Sequence, residues 1–233
     1  MMSRDNRASR RRAYFIEDTV EILRKIAIQV AIILVILVVA LLVGIYFARK
    51  TTPPAIARMK AEPQTIRVGE LTGEQLAELL EVIDPDFYTH KGYSPHAPGF
   101  RSITQRLVEQ YYYKDYQAWL EMVPGTINAW ELNRHMSKDE QLLVFLNNAQ
   151  FGTSREHDVR GFQQAAQSFF DKNFRDLTRD EYLSILAMLA DSEKYHIQGE
   201  ALANIERSKR LKKMLDRKCK ASSIFDVELK NCK

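Results

Sequence analysis

The chain has 233 residues and a formal net charge of only +4, enough length for one good-sized core with an anchor or tail beside it. That charge calls for no nucleic-acid partner, and the basic residues gather at both ends, which suggests anionic surfaces there rather than a basic domain. Only two cysteines occur, Cys219 and Cys232, and their meaning depends on the compartment.

Residues 1–25 form a basic tail. Arg4, Arg7, Arg10, Arg11 and Arg12 stand among small polar residues with no apolar period, the pattern of a disordered segment. Residues 26–47 are almost wholly apolar, with Gln29 the only strongly polar side chain. At helical rise they can cross ~30 Å of hydrocarbon. A cleaved signal peptide fits poorly, because the run is long and no small-x-small cleavage site follows it. The upstream flank holds seven Lys or Arg, against Arg49, Lys50, Arg58 and Lys60 downstream. The excess predicts a single-pass anchor with its N-terminus in the cytoplasm and the main domain outside. Pro53 and Pro54 are expected to bar a continuous helix, so residues 48–70 read as a semi-rigid linker.

A soluble domain follows over residues 71–216. Thr72, with Gln75 three residues later, predicts a capped helix start, and Leu76, Leu79, Leu80 and Ile83 keep helical spacing up to Asp84-Pro85. Pro95, His96 and Pro98 mark a loop. Ile103, Leu107, Val108 and Tyr111 share one face of the next helix, and Ser137 with Glu140 opens another. Residues 217–233 form a tail. In an oxidising space Cys219 and Cys232 can close a small disulfide loop; in a reducing one they are free thiols. Zinc is not expected, since no histidine lies near them.

Asp84, Phe87, His90 and Gly92 fall at D-x-x-F-x-x-H-x-G spacing, and Ser102, Ile103, Thr104, Gln105 and Leu107 read S-I-T-Q-x-L. Further on come Leu142, Leu143, Phe145, Leu146 and Asn147, then Phe151-Gly152; Gly161, Ala165, Ala166, Phe169 and Phe170; Leu177-Thr178, Glu181 and Ile185; and Arg207, Leu211 and Met214. In this order the pieces resemble the family 51 glycosyltransferases, the peptidoglycan polymerases that join lipid II units. The resemblance runs from Thr72 to Leu215. It implies a mainly α, lysozyme-like, two-lobed domain behind the single transmembrane helix, in the bacterial inner membrane. It also brings forward an interfacial reading of the aromatic stretch around Tyr111, Tyr112, Tyr113, Tyr116 and Trp119, beside the plainer reading as a core face.

The departures concern catalysis. Polymerising lipid II needs a base on the acceptor hydroxyl and groups that hold the leaving diphosphate. The family's glutamate base falls on Ile83, and the second glutamate of an R-K-x-x-E motif falls near Gly125, its basic partners near Glu121 and Met122. Phe100 and Arg101 stand where the second motif has Gly and Ser. Asp84 and Glu121 are the candidate substitute carboxylates. His90, Arg101, Ser102, Thr104, Gln105, Arg106 and Asn147 are the candidate substrate-binding residues. Each has a plainer reading beside it: Ser102 as a helix cap, Arg101 and Arg106 on a solvated face, His90 holding the motif loop, Asn147 bonded to backbone. No cofactor or metal site is expected, a divalent metal being implied only if the chain is active. The resulting expectation is a catalytically degenerate domain that binds a lipid-linked glycan or an envelope-assembly protein. The alternatives are an active divergent glycosyltransferase and a structural component of an envelope complex.

Overall fold

A computed structural model describes residues 4–112 and 124–232. The chain divides into two compact units, residues 1–47 and 48–233. The first is a helix whose apolar side chains from Ile26 to Val43 are mostly exposed around its circumference. Residues 21–61 contain a stretch long and apolar enough to cross a membrane.

That helix, α1, runs Arg4–Ala61 and continues through Pro53 and Pro54, contrary to the break expected there. Residues 48–61 are helical and belong to the core of the second unit rather than to a linker. Ala48, Thr52, Ala55 and Met59, at helical spacing, are all buried. The Tyr112 hydroxyl donates to Thr52 Oγ1 at 2.9 Å, and Arg58 donates to the Tyr111 carbonyl. Each proline leaves an i→i−4 bond unmade and crowds the carbonyl four residues back, although its fixed φ suits a helix. The packing of this face offsets the loss.

The second unit is mainly helical, as expected. Helix α2 (Gly73–Ile83) starts on a complete Thr72–Gln75 capping box, and α5 (Lys138–Asn148) on Ser137–Glu140. Helix α7 (Arg179–Met188) starts on a third box, in which Thr178 and Glu181 bond reciprocally. Helices α3 (Ile103–Tyr112), α4 (Pro124–His135), α6 (Gly161–Phe170) and α8 (Ala201–Leu215) complete the set used below. The apolar face read for α3 is buried at Ile103, Leu107, Val108 and Tyr111.

Between α5 and α6 lies a hairpin that the helical motifs did not announce: β1 (Gln150–Ser154) pairs antiparallel with β2 (His157–Arg160), Ser154 opposite His157. Its turn residues Arg155 and Glu156 both have positive φ, as a two-residue hairpin loop of type I′ requires. Phe162 stands at the centre of the aromatic core. Its ring meets those of Phe151, Phe174 and Tyr182 at 5.2, 5.9 and 6.4 Å. After α8 the chain folds back, and Cys219 and Cys232 form a disulfide.

Candidate functional site

The first motif builds an internal clamp. Ile83 ends α2 at 2% exposure, and Asp84 is completely buried. Asp84 Oδ2 accepts from the Ile103 amide at 2.9 Å and meets His90 Nε2 at 3.0 Å. His90 Nδ1 accepts from the Gly92 amide at 2.9 Å, so Nε2 carries the proton that goes to Asp84. Asp84 thereby pins the motif loop to the start of α3. Lys138 closes the clamp. Its Nζ lies 3.4 Å from His90 Nδ1 and 4.6 Å from the centre of the Phe87 ring. Burial drags its ammonium down to about 8, with nearby Asp84 pulling the other way.

The second motif starts α3. The Ser102 hydroxyl accepts from the Gln105 amide at 3.2 Å, and the Gln105 side chain accepts from the Ser102 amide at 3.0 Å, a reciprocal cap. Ser102 also donates to the Gly92 carbonyl at 3.1 Å, which joins the two motifs. Thr104 donates to Gln141 at 2.6 Å inside the core. These polar residues are spent on the scaffold. So is Asn147, whose Oδ1 accepts from the Thr65 and Ile66 amides and whose Nδ2 donates to the Ile66 and Leu143 carbonyls.

A cleft of about 970 Å³ opens elsewhere in the same unit. Its lining includes Arg58, Arg101, Arg106 and Arg160, and against them Glu62, Glu109, Asp191 and Glu193. Arg101 and Glu109 form an ion pair. Asp191 is engaged with the amides of Glu193 and Lys194 at 3.1 and 2.9 Å. Arg106 is different, and it does not lie on a solvated face. It donates to the Arg101 and Leu189 carbonyls at 3.2 and 3.1 Å, and burial brings its guanidinium down to about 10. Both of these bonds end on carbonyls, and Glu109 and Asp84 act on Arg106 only through their charge, so an anionic group entering the cleft could bond the guanidinium directly. The hydroxyl of buried Tyr111, which also lines the cleft, has no partner among the described residues. Burial pushes it well above the usual phenol range.

Of the residues singled out in the sequence, the cleft thus takes in Arg101 and Arg106. Ile83, Asp84, His90, Ser102, Thr104 and Asn147 lie outside its lining. Glu121 and Met122 lie outside the described residues, as do Tyr113, Tyr116 and Trp119. Arg58 and Arg160 were missed. Arg58 carries no motif, and Arg160 had a signal only in its place just before the Gly161 motif. Among the described residues no group of three His, Cys, Asp or Glu is placed to hold a metal ion. Of the cleft carboxylates, Glu109 is paired with Arg101 and Asp191 accepts from two amides.

The model of the Transglycosylase family matches residues 96–217. Penicillin-binding protein 1A of Neisseria gonorrhoeae is 31% identical over 111 residues, which is 48% of this chain and 13% of that protein. Penicillin-binding protein 1F of Bacillus subtilis is 28% identical over 133 residues, 51% of this chain and 18% of that protein. A biosynthetic peptidoglycan transglycosylase of Acinetobacter baumannii is 26% identical over 97 residues, 42% of this chain and 41% of that protein. The chain therefore spans less than half the length of each of these relatives. The family match begins after the first motif, so Asp84 to Gly92 rest on their own spacing and on the clamp they build.

Proposed function

The chain belongs to the transglycosylase family, glycosyltransferase family 51 with its lysozyme-like fold, and on that premise we propose that it is a membrane-anchored cell-envelope protein that binds a lipid-linked glycan without polymerising it. Its N-terminus lies in the cytoplasm and its main domain on the outer side of the bacterial inner membrane, following the excess of positive charge before the span. The reading involves no cofactor.

The observation that carries it is the state of position 83. By the spacing of the first motif the family's base position falls on Ile83, which is packed in the core, and the adjacent carboxylate, Asp84, is buried and bound to His90 and Ile103. General-base catalysis needs a carboxylate within hydrogen-bond reach of the acceptor hydroxyl, and Asp84 lies outside the cleft lining with its Oδ2 held by the scaffold. Binding has better support. Arg106 and Arg101 stand in a cleft of suitable volume, where a diphosphate would meet guanidinium donors.

The test is a lipid II assay on the full-length, detergent-solubilised protein, with polymerisation and binding both read out. The expected result is binding without polymer, and affinity about tenfold weaker in Arg106→Gln, in line with the loss of one charge-assisted contact. Polymer made by the wild type overturns the proposal and turns attention to Glu121. Absence of both polymer and binding overturns it in favour of a structural part in an envelope complex. An Ile83→Glu variant, run beside these with a thermal melt, asks whether a carboxylate at that position restores turnover.

A further inference from the structure

The C-terminal tail lies almost wholly beyond the family match, yet it contacts residues that adjoin two stretches of the arginine cleft's lining. On one side, the Gly99 amide donates to the Ile224 carbonyl at 2.9 Å, and the Phe225 ring meets the Phe100 ring edge-on at 5.2 Å. On the other, Glu228 pairs with Lys194, the neighbour of cleft residue Glu193. The tail is itself held from behind. Arg207 donates to the Val227 carbonyl, Arg210 donates to the Glu228 carbonyl at 3.2 Å, and Leu229 and Cys232 are buried in the core. The Cys219–Cys232 disulfide ties its far end to the segment just after α8.

Phe100 makes this fastening consequential. It stands where the second motif has glycine, and its φ of 58° lies in the left-handed region that side chains avoid. A residue held there stays only where its surroundings fix it. Here the surroundings are the turn itself, in which the Phe100 amide donates to the Ala97 carbonyl at 2.8 Å, and two rings, Tyr93 stacked at 6.3 Å and Phe225 of the tail. The next residue is Arg101, which lines the cleft and whose carbonyl accepts from Arg106. Arg106 in turn reaches the opposite wall at Leu189. A contact at Phe225 is therefore one step from the backbone that sets Arg101 and Arg106.

We propose that the tail braces the cleft, with Phe225 and Glu228 as positioning residues that hold the 99–101 loop and the 191–194 loop at binding distance from one another. The proposal extends the lipid-linked glycan reading, in which Arg101 and Arg106 take the anionic group. Phe225 is 71% exposed, far more than a residue kept only for core packing, so its replacement should leave the fold intact.

The experiment is hydrogen–deuterium exchange on the full chain in detergent, comparing wild type with Phe225→Ala, Phe225→Tyr and Glu228→Gln, with lipid II binding measured on the same samples. In Phe225→Ala, amides of residues 99–102 are expected to exchange roughly tenfold faster while those of α5 and α7 stay as in the wild type. In Glu228→Gln the same change is expected at residues 191–195. Phe225→Tyr, which keeps the ring, should match the wild type, and lipid II affinity should follow the exchange in every variant. Unchanged exchange at both loops overturns the brace whether or not the wild type binds lipid II. Faster exchange spread evenly over α5 and α7 overturns it as well, because it would make the tail a general stabiliser. If the wild type does not bind lipid II, the function proposed above fails and exchange alone decides the brace.

Discussion

Lys138 illustrates how much a single side chain's setting can alter its chemistry. It lies over an apolar ring, faces the unprotonated nitrogen of His90, and is half-buried with Asp84 as its nearby opposing charge. Its native pKa of about 8 lies below its ordinary value of 10.5. Between those two values the unfolded chain holds a proton that the native chain has released, so this group's contribution to stability rises with pH across that window. Below pH 8 both states carry the proton and the native state bears the cost of burying it. Lys138→Met is therefore expected to be more stable than the wild type at pH 7, with the advantage shrinking as pH approaches 10.5. Urea midpoints of the two proteins at pH 7 and pH 10 measure this. A difference that stays constant with pH would mean that Lys138 is solvated in the native state.

Between elements, the motif glycines work by close approach. Gly92 has φ of 103°, and a Cβ built on it would stand 2.3 Å from the Ala129 carbonyl oxygen of α4. Gly161 has φ of 75° and meets the Asn147 carbonyl oxygen at the same distance. Both obstacles are backbone, which cannot swing aside. Gly92→Ala is expected to cost about 3 kcal/mol or more, combining a strained φ with a displaced α4, as read from thermal or urea unfolding. Steric and capping requirements of this kind explain why the scaffold was legible in the sequence. Gly92 and Gly161, the Thr72, Ser137 and Thr178 caps, and the Asp84–His90 pair are each demanded by local geometry, so they leave fixed residues at fixed spacings. The cleft was less legible because its residues come from separate elements. Arg106 lay inside a motif, but Arg58 and Arg160 are joined to it only by the fold. Phe100 was visible as a departure from the motif, while Phe225, the tail residue that packs on it, lies past Met214, the last residue of the motifs read in the sequence.

At the scale of the whole molecule, the domain boundary has to be redrawn. Pro53-Pro54 read as a break because local propensity argues against a helix there, yet Ala48, Thr52, Ala55 and Met59 form a continuous buried face. That face is built from small residues and one methionine, so its hydrophobic signal is faint even though its i, i+4, i+7, i+11 spacing is present in the sequence. The consequence is that the second compact unit begins at Ala48 rather than near Leu71. Truncating one fully buried side chain such as Met59 to alanine costs about 2–5 kcal/mol, and a whole domain holds only about 5–15 kcal/mol of net stability. Removing residues 48–61 takes away Ala55, Met59 and the Thr52–Tyr112 hydrogen bond together, a loss that reaches the lower part of that range. A chain of residues 48–233 should therefore leave the membrane fraction and melt cooperatively within a few degrees of the full protein. A chain of residues 62–233 should fail to show a cooperative transition by circular dichroism. Equal melting of the two would restore the linker reading and make the continuous helix a passive extension of the anchor. The contrast matters for the cleft as well, because Arg58 reaches it from that same helical segment: the element that begins in the apolar span also supplies one wall of the proposed binding site.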